Sequence, residues 1–337
     1  MSNGVSIRNG LWACHRRYRV PKNESLIIEP KLSNNRGDTM KWWVVVGLVV
    51  SRMLVLVPPV LAQTTSLAGV IDFHVHSGPD SRPRSVSDLE IARIAKRAGM
   101  RGMVFKNHFT MTADRAWLAM QEVDGIEIFG GVALNHAVGG LNAEAVRQLV
   151  AFSGGRGKVV WLPTFDAEFW MTRAGDPGEF VSVMRNGQPD PALAEIFDLV
   201  AEHELVLAMG HSSPEEVLAL IPEARSRGVQ RILVTHGLGQ QPSRVQLAKM
   251  AEQDAIIELV WLAVGNGEFS LSDYAEAIRE VGAEHFLLSS DLGQEMNPLH
   301  PDGLRAFIDG LRREGIADAD IDLMIRRNPA RLLGLEP

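Results

Sequence analysis

Two histidines one residue apart close a short apolar run, Gly69-Val70-Ile71-Asp72-Phe73-His74-Val75-His76. In an extended strand, side chains at i and i+2 leave from the same face. Both imidazoles can then turn a nitrogen toward one metal ion, and imidazole is a common ligand for zinc and its neighbours. The run passes into Ser77-Gly78-Pro79-Asp80, a turn sequence. The pair therefore stands where a strand ends and a loop begins.

Such a pair acts only if other elements bring partners to it. From Val70 onward, short apolar runs alternate with helix-like stretches, and eight runs read as strands: Val70–His76, Gly102–Lys106, Ile126–Leu134, Val159–Pro163, Leu205–Gly210, Ile232–His236, Ile256–Trp261 and Phe286–Ser290. They lack polar alternation, as expected of parallel strands buried on both faces. Between them, Ser87-Asp88-Leu89-Glu90 is a capping box opening a helix over Leu89–Ala98. Ser213-Pro214-Glu215-Glu216 combines a cap, a first-turn proline and acids. Thr112, Asn142 and Ser243 are further cap candidates, and two closing helices are expected over Pro301–Glu314 and Ala317–Arg327. The long interval after the fourth run contains Asn186-Gly187 and reads as a loop or small hairpin over the barrel mouth. Strict alternation of eight strands and about eight helices predicts a single-domain (β/α)8 TIM barrel, with an open doubly wound sheet as the alternative.

In such a barrel, chemistry gathers where the strands end. Those ends carry His74 and His76, then Lys106-Asn107-His108, Asn135-His136, Thr164 to Asp166, His211, His236 and Asp291. Six of the ten histidines fall there; His15, His203, His285 and His300 do not, so the ensemble is a stronger signal than any one residue. Lys106 is open to three readings: reaching solvent, binding a substrate carboxylate, or bridging two metals after carboxylation. Asn107, His108, Asn135 and His136 are substrate-side candidates. Arg82 and Arg84, in the loop after the first strand, are candidates to clamp an anion.

The rest of the chain sets boundaries. Residues 1–39 show no clear apolar periodicity and read as an over-extended or disordered leader. Met40-Lys41, the apolar stretch from Trp42 and the end Val60-Leu61-Ala62 read as a secretory signal peptide, with a membrane anchor as the alternative. Arg52 would cost an anchor roughly 2.5–3.5 kcal/mol. Either way the body, 63–337, is expected outside the cytoplasm. Residues 1–62 hold nine Lys/Arg against three Asp/Glu, a net +6; the whole chain's −7 leaves −13 for the body. An acidic body gives no electrostatic case for nucleic acid. The one cysteine, Cys14, lies in the leader, so thiolate ligands and a cysteine nucleophile are excluded from the body.

The pattern resembles the amidohydrolase superfamily of metal-dependent (β/α)8-barrel hydrolases, through the His-x-His pair, the later strand-end residues and the tail Asn328-Pro329-Ala330-Arg331-Leu332-Leu333-Gly334-Leu335. The likeness covers Val70 to Leu335 and is nearest to uncharacterised amidohydrolase-related proteins. It implies His74, His76, His211, His236 and Asp291 as ligands of a divalent metal, Zn2+ first, with Mn2+ or Fe2+ as alternatives. Binuclear members usually end strand four in a bridging carboxylated Lys or a Glu. Here that strand ends in Trp161-Leu162-Pro163-Thr164, and Lys106 lies on strand two, which leaves one ion or two open. The ligand set implies a water whose pKa falls from about 15.7 to about 7. Asp291 would then move the proton and His236 would polarise the scissile group. The expected activity is hydrolysis of an amide, lactone or ester of a small molecule. A phosphoesterase of the polymerase-and-histidinol-phosphatase type, a decarboxylase or isomerase on the same barrel, and a non-catalytic exported binding protein are the alternatives, and a homo-oligomer stays open.

Overall fold

The computed structural model describes residues 65–336. The leader expected at 1–39 and the signal peptide or anchor expected at 40–62 lie outside the described residues. Eight strands follow one another in chain order: β1 (Ile71–Val75), β2 (Gly102–Phe105), β3 (Glu127–Ala133), β4 (Gly157–Trp161), β5 (Val206–Ala208), β6 (Arg231–Val234), β7 (Ile256–Val260) and β8 (Phe286–Ser289). Each overlaps an expected run, β4 and β6 starting two residues and one residue earlier than expected, and every paired neighbour is parallel.

The sheet closes between β1 and β8. The His76 amide donates to the Leu292 carbonyl at 2.9 Å, and the Asp291 amide to the His74 carbonyl at 3.0 Å. Asp72 reinforces this seam by accepting from the Ser290 amide at 2.9 Å. Closure leaves no unpaired sheet edge and produces the barrel with its surrounding helices.

Alternation sorts each strand's residues between two apolar layers. Phe73, Val104, Phe129, Trp161, Leu233 and Leu287 fill the barrel, while Val75, Phe105, Leu207, Ile257 and Leu288 pack under the helices. In β1 the alternation breaks, because the pairing with β2 is irregular between Asp72 and Val75. The resemblance-bearing tail acts at the opposite end of the barrel from the strand ends. It forms the helix Asn328–Leu333, whose Ala330, Leu332 and Leu333 plug the inner cluster. Buried Asn328 donates to the Phe286 carbonyl at 2.7 Å and fastens this plug to the start of β8.

Most caps form as expected. Ser87, Ser213 and Ser243 make full capping boxes, and Asn142 accepts from the Glu144 amide. Thr112 is a correction. Its hydroxyl does not cap the helix Ala113–Glu122 but donates to the Phe105 carbonyl at 2.7 Å and accepts from the Gly131 amide at 2.9 Å. Joining two strands satisfies more buried backbone than capping would. The single helix expected over Ala317–Arg327 is Asp318–Asp322 followed by a wider π turn, Leu323–Arg327. The hairpin also forms, with Met184–Arg185 paired antiparallel to Gln188–Pro189 around Asn186-Gly187. Among the described residues no helix is long and apolar enough to cross a membrane.

Candidate metal centre

The seam between β1 and β8 decides the centre. His74 and His76 come from one side, and Asp291, two residues past β8, comes from the other. Asp291 Oδ1 lies 3.1 Å from His74 Nε2 and 3.2 Å from His76 Nε2, while Oδ2 lies 3.3 Å from His236 Nε2. The His211 ring stands one step further out, its centroid 5.1 Å from that of His236, and His108 is 5.0 Å from His76.

Hydrogen bonding at the far side of each ring settles its tautomer. His74 Nδ1 lies 3.1 Å from Glu258 Oε1, and His76 Nδ1 lies 3.0 Å from the Lys106 carbonyl. Carboxylates and carbonyls only accept, so both Nδ1 atoms carry hydrogen and each ring turns its Nε2 toward Asp291. A bond from His76 Nε2–H to Asp291 as well would require an imidazolium, but burial lowers His76 to about 4, against the pull of Asp291. Arg84 Nη2, 3.3 Å from the same Nδ1, competes weakly, because Asp80 already engages Arg84 at 2.6 Å.

The His76 lone pair thus faces a carboxylate oxygen with no proton between them. The buried Nε2 atoms of His74 and His236 and both ring nitrogens of His211 have no hydrogen-bond partner. Like acceptors in contact without water are destabilising unless a cation sits among them. The donor set therefore fits a divalent metal, with Glu258 and the Lys106 carbonyl orienting two of the ligands. Asp291 remains ionised. Burial alone would raise its carboxyl, but the neighbouring His74, His236 and His76 rings hold it well below the usual range.

His236 and Asp291 both sit at positive φ, 49° and 53°, where side chains other than glycine are uncommon. Each costs about 1–3 kcal/mol that the surrounding barrel offsets. Gly210 is required for a related reason. At φ +60° a Cβ there would lie 2.3 Å from the Leu162 and Pro163 carbonyl oxygens, so only glycine allows the turn that presents His211.

The other expected residues divide. His108 is buried beside the centre, with Nδ1 2.9 Å from Thr164 Oγ1. Asn135 donates to that same hydroxyl and to the His108 carbonyl, and Asn107 accepts from the Phe109 and Thr110 amides. Both asparagines are spent on holding loops. His136 is exposed, donates its backbone N–H to Asp166, and does not line the cavity. Lys106 is buried with its Nζ unpartnered, 5.5 Å from the Trp161 ring centroid. Burial lowers it to about 8, opposed by Asp291 and Glu258. Arg82 and Arg84 line a cavity of about 290 Å³ with His76, His211, His236 and Asp291.

Sequence reasoning missed Glu258 and Asp72. Glu258 accepts from His74, from the Ser289 hydroxyl at 2.7 Å and from the His236 amide at 3.2 Å. Burial would raise it, but the hydrogen bond from His74 and the neighbouring His236 and Lys106 hold it at about 2. Its signal was available: one acid inside the apolar run Ile256-Ile257-Glu258-Leu259-Val260. Asp72, likewise inside an apolar run, is raised by burial to about 7.

Burial gives His76, His236 and His300 folded values of about 4, against 6.5 ordinarily. Between pH 6.5 and 4 the unfolded chain takes up protons that these rings refuse, so stability falls as pH drops through that window. Urea midpoints of metal-free protein should decline from about pH 7 to about pH 4.5. A constant midpoint would show that these rings are not buried as neutral groups.

Among solved structures, the chain is similar to an organophosphorus hydrolase from Deinococcus radiodurans, with 17% identity, 80% of this chain and 93% of that chain covered, and a TM-score of 0.56. It is also similar to an amidohydrolase from Pseudomonas aeruginosa, at 11% identity, 79% and 95% coverage and a TM-score of 0.52. A third is a beta-aspartyl dipeptidase from Fervidobacterium islandicum, at 17% identity, 80% and 73% coverage and a TM-score of 0.55. At these identities the likeness is one of fold, and the fold is the barrel that amidohydrolases carry. None of the curated proteins matches the chain. Residues 69–258, more than half of the sequence, match a family of unknown function, DUF6282, and the chain belongs to that family.

Proposed function

We propose that this protein is a metal-dependent hydrolase of the amidohydrolase type, acting on an amide, lactone or ester bond of a small molecule. The observation that carries the reading is the convergence of imidazole nitrogens on an ionised Asp291 at 3.1–3.3 Å. His74, His76, His236 and Asp291 would hold the ion, with His211 beside them. A divalent cation there would supply a water-derived nucleophile at neutral pH and a Lewis acid. Asp291, ionised and two residues beyond β8, is placed to take a proton from water and return it to the leaving group. His211, neutral because burial lowers it well below 6.5, can donate to a developing oxyanion or serve as a further ligand. The aromatic side chains Phe165 and Trp170 narrow the mouth and exclude water from these groups.

The test is metal removal and return. Protein treated with a chelator should lose hydrolysis of an amide, lactone and ester panel, and regain it with Zn2+, Mn2+ or Fe2+. His74→Ala should leave the protein folded but unable to retain the ion. Hydrolysis that persists without metal, or metal retention undiminished by His74→Ala, would reject the reading.

A further inference from the structure

The two cavity arginines are not equivalent. Arg84 is committed to Asp80, through Nε at 2.7 Å and Nη2 at 2.6 Å. The Arg82 guanidinium makes no ion pair among the described residues, and its Cζ lies over the Phe165 ring, 4.3 Å from the centroid. Stacking occupies a guanidinium's face and leaves its N–H edges free to bind an anion.

From Phe165 an aromatic wall runs to the metal centre. Trp170 lies 6.3 Å from Phe165, His211 lies 4.8 Å from Trp170, and His236 lies 5.1 Å from His211, each between ring centroids. Gln240, on the connection after β6, lines the same cavity. It is 6% exposed, and neither its Nε2 nor its Oε1 has a partner. A buried amide left unpaired indicates a cavity suited to a polar ligand. Of the two acids that line the cavity, Asp291 belongs to the metal centre and Glu268 to the connection after β7, three strands round from the β4 end where Arg82 rests on Phe165.

We infer that the substrate is a small carboxylic acid with a flat, preferably aromatic group between its carboxylate and the bond to be cleaved. Arg82 binds the carboxylate and is the specificity-determining residue; Phe165, covered by Arg82 and by His108 at 3.8 Å between ring centroids, holds the guanidinium in place, and Trp170 takes the flat group. This rests on the hydrolase reading for the position of the reacting bond. The cavity volume of about 290 Å³ suits a single-ring acid.

Two probes separate the possibilities: para-acetamidobenzoate and its neutral analogue para-acetamidobenzamide, titrated calorimetrically into metal-loaded protein and followed for release of the aromatic amine. The carboxylate should bind about tenfold more tightly than the carboxamide, and R82Q should abolish that preference. Equal binding of the two probes, binding of neither, or a preference that survives R82Q would overturn the inference. The last result would assign the anion to the metal. Charge preference without hydrolysis of this anilide or of any lactone or ester tested would instead defeat the hydrolase reading and leave the acid-binding site standing. Hydrolysis indifferent to charge would do the reverse.

Discussion

Asp291→Asn is expected to lower kcat/KM by about 10³-fold, roughly 4 kcal/mol of transition-state stabilisation, and to weaken metal retention. Asparagine is the informative replacement because it tolerates the left-handed backbone that residue 291 adopts at φ 53°. It also preserves size, so the loss can be assigned to the missing charge. That charge has two uses. In the proposed hydrolase it would balance a cation held with His74, His76 and His236, and it would accept the proton from water. Metal content and turnover, measured separately, distinguish them. A variant that retains metal but loses turnover would isolate the proton role. One that keeps both within about threefold would remove Asp291 from the mechanism altogether.

The second large effect is expected one layer behind the ligands. Every group that faces Glu258 donates to it: His74 Nδ1, the Ser289 hydroxyl and the His236 amide. In Glu258→Gln, an NH2 must replace one acceptor oxygen, so one of these buried donors meets another donor. His74 then loses the bond that fixes its tautomer, and metal affinity should fall about 10–100-fold. Stability of the metal-free protein should fall by about 1–3 kcal/mol as well, because a buried donor is left unpaired. Glu258→Asp, which retains the charge, should recover part of the metal affinity. If stability fell while the metal dissociation constant stayed unchanged, Glu258 would be a packing residue and not a positioning one.

The features legible in the sequence are those set by near neighbours along the chain. Uninterrupted apolar runs mark the eight strands, since strands covered on both faces need no polar alternation. Ser87, Ser213 and Ser243 announce helix starts because capping involves groups only three residues apart. His74 and His76 could be paired from their spacing alone, and the clustering of histidines at strand ends pointed to one mouth of the barrel.

What the linear order could not decide depends on where the sheet closes. The β1–β8 seam puts residues 74 and 291 in contact, and it makes Glu258 and Asp72 central to that contact. The same closure leaves His136 outside, turns Asn107 and Asn135 into loop supports, and redirects Thr112 from capping to joining two strands. Which arginine stays free was also a tertiary matter, because Asp80 can neutralise only one of two neighbours and the folded loop gives it Arg84. Hydrogen-bonding groups have few partners and short reach. Their roles are therefore assigned by three-dimensional competition, which residue type and spacing do not encode.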